Sequence, residues 1–222
     1  MAGSPKAALF ACFADVAKAL AHARRLELLE HLGQGERSVE ALATRTGLPF
    51  ASTSQHLQQL RRAGLVVTRR AGRRVHYRLA NDAVVGLLSA LRRTAERGLA
   101  EVDRIVAGYF RRCDGLDAVT RGELIERLRR QTATLLDVRP ADEFAFGHLP
   151  GSLNIPLAEL ETRLAELPLD REIVAYCRGA YCVLSFEAVA ALRARGYAAR
   201  RLEEGYPEWR AAGLPVAATA GA

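Results

Sequence analysis

The sequence predicts a two-domain protein with a mainly helical first half and an α/β second half. Its 222 residues suit two small domains, because domains usually run to about 100–150 residues. Residues 1–112 hold 19 Lys and Arg against 9 Asp and Glu, a balance of +10, whereas residues 113–222 hold 13 against 16, a balance of −3. Amphipathic helical spacing in the first half also gives way to short apolar runs in the second. Only the basic first half is typical of a polyanion binder.

The composition excludes a membrane-spanning protein and favours a packed one. Half of the residues are hydrophobic and 26% are charged, and no uncharged apolar run approaches the ~18 residues that cross a bilayer. Residues 7–14 resemble a short signal segment, but Asp15 and Lys18 interrupt it. We therefore expect a cytoplasmic protein with no membrane partner. Four cysteines are too few for a disulfide scaffold, so each is a candidate reactive thiol.

Three helices are predicted before residue 48. The first helix is indicated by apolar residues at helical spacing, Leu9, Phe13, Val16 and Leu20. The second is indicated by a further apolar series that stops before Gly33 and comprises Leu26, Leu28, Leu29 and Leu32. Ser38 is a candidate cap for the third helix, which turns Val39 and Leu42 inward and ends near Gly47.

Residues 51–63 predict a fourth helix with one apolar and one polar face. Leu57 and Leu60 share the apolar face. The opposite face presents Ser52, Ser54, Gln55, Gln58 and Gln59. That face suits a helix that reads DNA, although the same residues also fit an ordinary solvated surface.

A basic hairpin follows the polar helix. Residues 65–70 and 75–79 predict two short strands joined through residues 71–74. Its tip and flanks carry Arg69, Arg70, Arg73, Arg74 and Arg78. So many like charges repel one another unless an anion neutralises them, and phosphate groups are the natural partner.

Residues 8–112 resemble the ArsR family of dimeric bacterial repressors. The resemblance rests on the basic hairpin and on two blocks, SVEALA (38–43) and ASTSQHLQQLRRAGLV (51–66). The resemblance implies a winged helix-turn-helix that binds operator DNA as a homodimer. The residues implied in DNA binding are Ser52, Ser54, Gln55, Gln58, Gln59, Arg62, Arg73 and Arg74.

The same resemblance implies that a helix from Asn81 to about Arg112 pairs with the first helix in the dimer. Its apolar stripe comprises Leu88, Leu91, Ala95, Leu99, Val102, Val106 and Tyr109. An intramolecular core helix is the alternative, but the stripe is longer than so small a domain can cover.

No metal site and no cofactor are expected. The segment 35–39, where arsenic-sensing relatives carry thiols, contains no cysteine, and no histidine lies between His76 and His148. We interpret His22, His31 and His56 as isolated surface or hydrogen-bonded residues rather than ligands.

The second half predicts an α/β sheet after a linker at residues 113–120. Buried strands are expected at 134–138, 173–176 and 200–202, and helices at 123–130, 157–167 and 185–195. Cys177 comes directly after the middle strand and just before a helix. Backbone N–H dipoles and Arg178 favour the thiolate at such a position, although a buried structural cysteine is the alternative.

Several separate motifs in the second half resemble a rhodanese domain over about residues 121–218. They are LDVR (136–139), Glu143, GHLPGS (147–152), NIP (154–156), the loop CRGAYC (177–182) and GYPEWRAAGLP (205–215). The resemblance implies that Cys177 accepts a sulfane sulfur as a persulfide. The loop residues Arg178, Gly179, Ala180, Tyr181 and Cys182 would cradle the outer sulfur.

Two positions in the loop depart from the family. Ala180 stands where a glycine is usual, and Cys182 where Ser or Thr is common. Cys182 either resolves a Cys177 persulfide into a disulfide or replaces the hydroxyl as a small residue. Asp137 and His148 belong to matching motifs, and we assign them no catalytic role.

Cys12 and Cys113 form a second candidate pair, of sensor thiols. Cys12 lies on the apolar side of the first helix and Cys113 at the end of the long one. The ArsR resemblance packs those two helices together at the dimer interface, and its sulfide-responsive members use a dithiol near them. Simple packing of small thiols is the alternative.

The leading hypothesis is therefore a homodimeric transcriptional regulator that responds to a sulfane-sulfur donor. A sulfurtransferase enzyme that acts on thiosulfate or persulfides, with an accessory basic domain, is one alternative. A repressor that responds to arsenic or soft metals through rearranged cysteines is another.

Overall fold

The computed structural model describes residues 4–110 and 118–219. These residues divide between Leu88 and Ser89 into two compact units, whereas the sequence placed the linker at 113–120. Val119 and Thr120, at the end of that predicted linker, belong to the second unit. Val119 bridges in parallel to Leu202, and Thr120 caps the next helix. Residues 111–117, which include Cys113, lie outside the described part of the chain.

The first unit is helical with a small antiparallel sheet. Its elements are α1 (Pro5–Leu20), α2 (Ala23–Gly33), β1 (Arg37–Ser38), α3 (Val39–Thr46), α4 (Phe50–Arg62), β2 (Val66–Ala71), β3 (Arg74–Leu79) and the start of α5 (Ala83–Gly98). The strands lie in the order β1-β3-β2, and β1 was not foreseen from the sequence. The fully buried core side chains come from three helices and include Leu28, Leu29, Leu42, Leu57 and Leu60.

Local capping signals fix α3. The Ser38 hydroxyl accepts a hydrogen bond from the Ala41 N–H at 3.3 Å, and this satisfies one of the free amides of the first turn. Gly47 ends the helix in the left-handed region at φ 65°, which glycine adopts without strain. Both expectations are confirmed, and together they set the angle at which the chain enters α4.

The long helix expected over residues 81–112 is interrupted. Helix α5 ends at Gly98, Leu99 is extended at φ −119° and ψ 105°, and α6 (Ala100–Ile105) follows, with a π-helical segment (Val106–Phe110) after it. Glycine is among the weakest helix formers, by about 1 kcal/mol relative to alanine, and the break follows Gly98 directly. The predicted apolar stripe is therefore not one continuous face.

The second unit is a parallel sheet between two layers. After the segments just named it contains α7 (Arg121–Arg129), β4 (Ala133–Asp137), α8 (Ala141–Phe146), β5 (Leu153–Asn154), two 3₁₀ helices (Leu157–Thr162 and Leu164–Glu166), β6 (Glu172–Tyr176), α9 (Val183–Ala194), β7 (Ala199–Arg201) and α10 (Tyr206–Ala211). All neighbours in the order β5-β4-β6-β7 pair in parallel.

Alternate residues of the central strands point to opposite layers. Leu136 and Ala175 pack with residues of α9, whereas Leu135 and Val174 pack with α7 and with Trp209 of α10. Strands β4 and β6 are therefore buried on both faces, as is usual for parallel sheets. Their carboxyl ends lie side by side, which places Cys177 at the edge where ligands bind in such sheets.

The helix expected at residues 157–167 is instead two 3₁₀ turns. The Glu159 N–H donates to the Pro156 carbonyl at 2.8 Å, a tight three-residue bond, and Arg163 at φ −115° separates the two turns. Short 3₁₀ pieces are common as connectors, and apolar spacing alone does not distinguish them from an α-helix. Within the described residues, no helix is long and apolar enough to cross a membrane.

Candidate functional site

Helix α4 carries the polar surface that the sequence predicted. Leu57 and Leu60 are fully buried on its inner side, whereas Gln55 and Gln58 are exposed on its outer side. Ser52 and Ser54 are half-buried at its amino-terminal end. The helix thus divides into a core face and a face that can approach another molecule.

The wing, which comprises β2, β3 and the turn at residues 72–73, lies across from this surface. Ser54, Gln58 and Arg62 of α4 line one groove together with Arg73 of the wing. The exposed Arg74 begins β3 beside it. The structure therefore brings four of the predicted DNA-binding residues to one groove. Arginines outnumber the single acidic residue, Glu40, along this groove, and such a positive balance suits a phosphate backbone.

Two predicted features of this surface differ in the structure. The Gln59 Oε1 accepts a hydrogen bond from Arg25 at 2.5 Å, so Gln59 braces α4 against α2 and is partly withdrawn from solvent. Arg69 of the wing donates to both carboxylate oxygens of Glu36, and those hydrogen bonds lower the pKa of Glu36. The charge of Arg69 is thereby neutralised within the unit.

The histidines that the sequence presented as isolated include one contact pair. The rings of His22 and His56 lie 4.6 Å apart between their centroids. Burial, and then the nearby His22 and Arg25, lower the pKa of His56. His22 also caps α2, because its Nδ1 accepts from the Arg24 N–H at 3.2 Å. The pair is 34 residues apart in sequence, so no local pattern indicated it.

The predicted sulfur-acceptor loop, residues 177–182, connects β6 to α9. Cys177 follows the last residue of β6 and is 1% exposed, and Cys182, 7% exposed, is the residue before α9. The structure joins the two cysteines in a disulfide, with Cα atoms 6.1 Å apart. The Cys182 N–H donates to the Gly179 carbonyl at 3.2 Å, and this bond closes the loop on itself.

Gly205 supports the loop from beneath. The Cβ that any other residue would carry there overlaps with the backbone of Arg178 and Gly179. Next to it, the Tyr206 N–H donates to the Cys177 carbonyl at 3.1 Å. The glycine at the start of α10 therefore permits a close backbone approach that holds the acceptor cysteine in place.

Arg178 does not present a free charge to Cys177. Its guanidinium donates to both oxygens of Glu143 at 2.8 to 3.1 Å, and Glu143 is 1% exposed. The charge that the sequence analysis expected to favour the thiolate is therefore paired with a buried carboxylate. Glu143 entered the sequence analysis only as part of a motif.

Asp137 and His148 hold the framework of the second unit. Asp137 accepts hydrogen bonds from three donors of Arg139, its backbone N–H, Nε and Nη2, and both residues are fully buried. Burial by itself lowers the pKa of Arg139, but the hydrogen bonds and charge of Asp137 raise it overall. His148 stacks on Phe144 at 3.6 Å. Neither Asp137 nor His148 forms part of the loop, consistent with supporting roles.

The other two cysteines are in different situations. Cys12 is an exposed free thiol on α1, on the same helix as the exposed Leu9, Phe10 and Phe13. Its predicted partner Cys113 falls outside the described residues. Within the described ranges, no group of three or more His, Cys, Asp and Glu side chains is arranged to hold a metal ion.

Two known families match separate parts of the chain. The rhodanese-like domain family matches residues 120–212, and a helix-turn-helix domain family matches residues 20–69. The HTH-type transcriptional regulator Rv0324 of Mycobacterium tuberculosis is 49% identical over 211 residues, which cover 95% of this chain and 92% of that protein. A sulfurtransferase of Allochromatium vinosum is 36% identical over 88 residues, 39% of this chain and 80% of that one.

Solved structures match each half separately. A homodimeric winged helix-turn-helix DNA-binding domain from Mycobacterium bovis, described as a possible ArsR-family regulator, is 46% identical, with a TM-score of 0.41 over 45% of this chain and 94% of that one. A rhodanese-related protein from Thermoplasma volcanium is 30% identical, with a TM-score of 0.41 over 46% of this chain and 98% of that one.

Proposed function

Since the chain belongs to the ArsR-type winged helix-turn-helix transcriptional regulators that carry a C-terminal rhodanese domain, we propose that this DNA-binding regulator responds to sulfane sulfur accepted on Cys177. The observation that carries the proposal is the loop itself. Two buried cysteines come within bonding distance at the carboxyl edge of the parallel sheet. A regulator with such a dithiol could react with sulfane sulfur as well as bind DNA. We place it in the cytoplasm, where its operator is.

The first chemical step loads the loop. In the reduced chain, the Cys177 thiolate attacks the outer sulfur of a donor such as thiosulfate, the sulfur–sulfur bond of the donor breaks, and sulfite leaves with the electron pair. The product is a persulfide on Cys177. Loop amides and the amino-terminal end of α9 favour its negative charge.

The second step requires a thiol at Cys182, because a hydroxyl residue at this position could not form a disulfide with Cys177. The Cys182 thiolate, having lost its proton to solvent, attacks the Sγ of Cys177, the bond between Sγ and the outer sulfur breaks, and the outer sulfur takes up a proton from solvent and leaves with the electron pair as hydrosulfide. The sulfane sulfur is reduced to sulfide and the two cysteines are oxidised to the disulfide. The loop thus has three states: dithiol, persulfide and disulfide.

The DNA output rests on the first unit. The groove between α4 and the wing would receive the backbone, with Arg62, Arg73 and Arg74 on phosphates, while Ser52, Ser54, Gln55 and Gln58 face the major groove. Gln59 would act through Arg25 rather than on bases.

A homodimer accounts for apolar side chains that the chain leaves uncovered. Leu9, Phe10 and Phe13 on α1 are more than half exposed, and Leu87 and Leu91 on α5 are about 40% exposed. Exposed apolar surface of this kind is typical of an interface between subunits. We propose that a second copy covers it.

Cys12 and Cys113 constitute a further route for sulfur in this proposal. A disulfide or polysulfide bridge between them, within one chain or across the dimer, would tie two dimer helices together and bias the spacing of the recognition helices. A nearby Cys177 persulfide would supply the sulfur at high effective concentration. Serine at either position would then abolish the response and keep basal DNA binding.

One experiment tests the proposal on the full chain. The reduced protein is treated with thiosulfate or inorganic polysulfide, the adducts are measured by mass spectrometry, and affinity is measured on a duplex selected from a random-sequence library. We expect a transient added sulfur on Cys177 of the wild type that gives way to the disulfide, no adduct at this position in Cys177→Ser, and a persistent persulfide in Cys182→Ser. Equal loading of Cys177→Ser, or a wild-type DNA affinity that does not change with loading, contradicts the proposal.

A sulfurtransferase enzyme is the second candidate function. The rhodanese family match and the sulfurtransferase relative favour it. Multiple turnovers of thiosulfate with cyanide, at a rate unaffected by operator DNA, would support the enzyme. A single loading event per chain that changes DNA affinity would support the sensor.

A further inference from the structure

We propose that Glu96 and Arg92 of helix α5, which lie outside the rhodanese match at residues 120–212, are positioning residues for the sulfur-acceptor loop. This inference rests on the proposed function and deepens it. It names the part of the chain that registers the state of Cys177. All the contacts involved lie within the second compact unit.

The first contact is made by Tyr181, the loop residue directly before Cys182. Its hydroxyl neighbours the Glu96 carboxylate, and burial, together with this carboxylate, raises the pKa of Tyr181. Its ring lies 5.1 Å from the ring of Phe110, which in turn lies 4.8 Å from Phe186 of α9. Any change that moves Cys182 relative to Cys177 must also move or strain Tyr181.

The second contact reaches the other side of the loop. Arg92 forms ion pairs with Glu96 at 3.5 Å and with Glu208 at 3.4 Å. Glu208 accepts from the Gly205 N–H at 3.1 Å through its other oxygen, and Gly205 abuts the backbone of Arg178 and Gly179. Arg92 is therefore linked through Glu208 and Gly205 to the start of the loop. Glu96 lies beside Tyr181, near the end of the loop.

Both contacts converge on one face of one helix. Arg92 and Glu96 are four residues apart, so they are neighbours on the surface of α5. That helix runs from Ala83 to Gly98 and begins shortly after the wing strand β3 ends at Leu79. The rhodanese loop is thus linked, through Glu208 and Gly205, to the helix that follows the wing along the chain.

The loop and α5 are linked in a reciprocal way. If the disulfide favours one placement of α5 by a given factor, fixing α5 favours the disulfide by the same factor. We expect operator DNA to shift the dithiol–disulfide ratio, measured in a dithiothreitol redox buffer, by the same factor by which oxidation shifts DNA affinity. For coupled sites this factor is typically about 5- to 150-fold.

The test compares the full-length wild type, Glu96→Ala and Glu96→Gln in the dithiol and disulfide states. Amide hydrogen exchange is measured over residues 89–98, and the dithiol–disulfide ratio is measured with and without the selected duplex. We expect the wild type to change protection over this stretch, Glu96→Ala to lose both effects, and Glu96→Gln, which keeps an acceptor oxygen, to retain part of them.

Glu187→Ala is the matched control. Glu187 is an exposed glutamate of α9 that accepts a hydrogen bond from the hydroxyl of another tyrosine, Tyr109, at 3.0 Å. It should behave as the wild type does. Equal protection of residues 89–98 in both loop states of the wild type, or full coupling in Glu96→Ala, overturns the inference. A helix that responds while DNA affinity does not overturns the proposed function and leaves the coupling standing.

Discussion

The guanidinium of Arg178 donates to the buried carboxylate of Glu143, from Nε to Oε2 at 2.9 Å and from Nη2 to Oε1 at 2.8 Å. The positive charge closest in sequence to Cys177 is therefore already paired.

Glu143→Gln should lower the pKa of Cys177 in the reduced chain. The change removes a buried negative charge and leaves the Arg178 charge uncompensated, and a cation near a thiol favours the thiolate. The measurement is the pH dependence of alkylation by iodoacetamide in a Cys182→Ser background. Glu166→Gln, which alters an exposed pair with Arg163, serves as the control. A midpoint that stays in place or rises would refute the assignment.

Replacing Arg73 and Arg74 with alanine should weaken DNA binding on every sequence. Each lost phosphate contact should reduce the slope of log affinity against log salt by about 0.9, because fewer counterions are released. Titrations at several salt concentrations measure that slope. Arg130→Ala removes an exposed arginine of the second unit, which pairs with Glu126, and should leave it unchanged. An unaltered slope in the double variant would rule out the wing as a phosphate contact.

Gln55→Ala should change which operators are preferred more than it changes overall affinity. Gln55 is exposed on the outer face of α4, and a side-chain contact to a base edge discriminates by about 1–3 kcal/mol. Selection from a random-sequence library, followed by sequencing, reports the preference. Arg62→Ala is the comparison, since loss of a phosphate contact should weaken all sites alike. Identical preferences in the wild type and Gln55→Ala would argue against base contact.

Asp137→Asn should destabilise the second unit strongly. Asp137 and Arg139 are both fully buried, and removing one partner of a buried pair costs roughly 3–5 kcal/mol, because the other charge is left uncompensated. Urea denaturation monitored by the fluorescence of Trp209 measures the loss. Asp170→Asn, at an exposed pair with Arg171, should shift stability by less than about 0.5 kcal/mol. Similar midpoints for the two variants would contradict this account.

Phe13→Glu should shift the chain toward monomers and weaken operator binding. Phe13 is 61% exposed on α1, and a carboxylate there would have to be desolvated in the proposed interface. Sedimentation velocity over a range of concentrations measures the change. Glu27→Ala on α2, which removes an exposed partner of Arg24, should remain dimeric. A Phe13→Glu chain that dimerises as tightly as the wild type would place the interface elsewhere.

The sequence was a good guide where a residue acts on its own helix or turn. Ser38 and Gly47 bound α3 through bonds and dihedral angles that depend on a few neighbours, so their residue types alone predicted its ends. The order of the rhodanese motifs likewise predicted the position of Cys177. The interruption at Leu99 had a local sign in Gly98, but the apolar periodicity on both sides masked it.

Contacts that depend on tertiary packing were not predictable in this way. Gln59 and Arg25 are 34 residues apart, Arg178 and Glu143 are 35 apart, and Arg92 and Glu208 are 116 apart. Neither periodicity nor spacing reports that such side chains meet, because the pairing is decided by how helices and strands pack. The charges of individual arginines were visible in the sequence, but their neutralisation was not.

The contact beneath the sulfur-acceptor loop also has a consequence for how this gene can vary. Every residue other than glycine at position 205 carries a Cβ, and that atom overlaps with the backbone of Arg178 and Gly179. Every amino-acid substitution at position 205 therefore disturbs the loop, and we expect none of them to be neutral. Helix α4 and the wing belong to the other unit. An allele altered at codon 205 is therefore expected to encode a regulator that keeps its DNA-binding unit but holds Cys177 in a displaced loop.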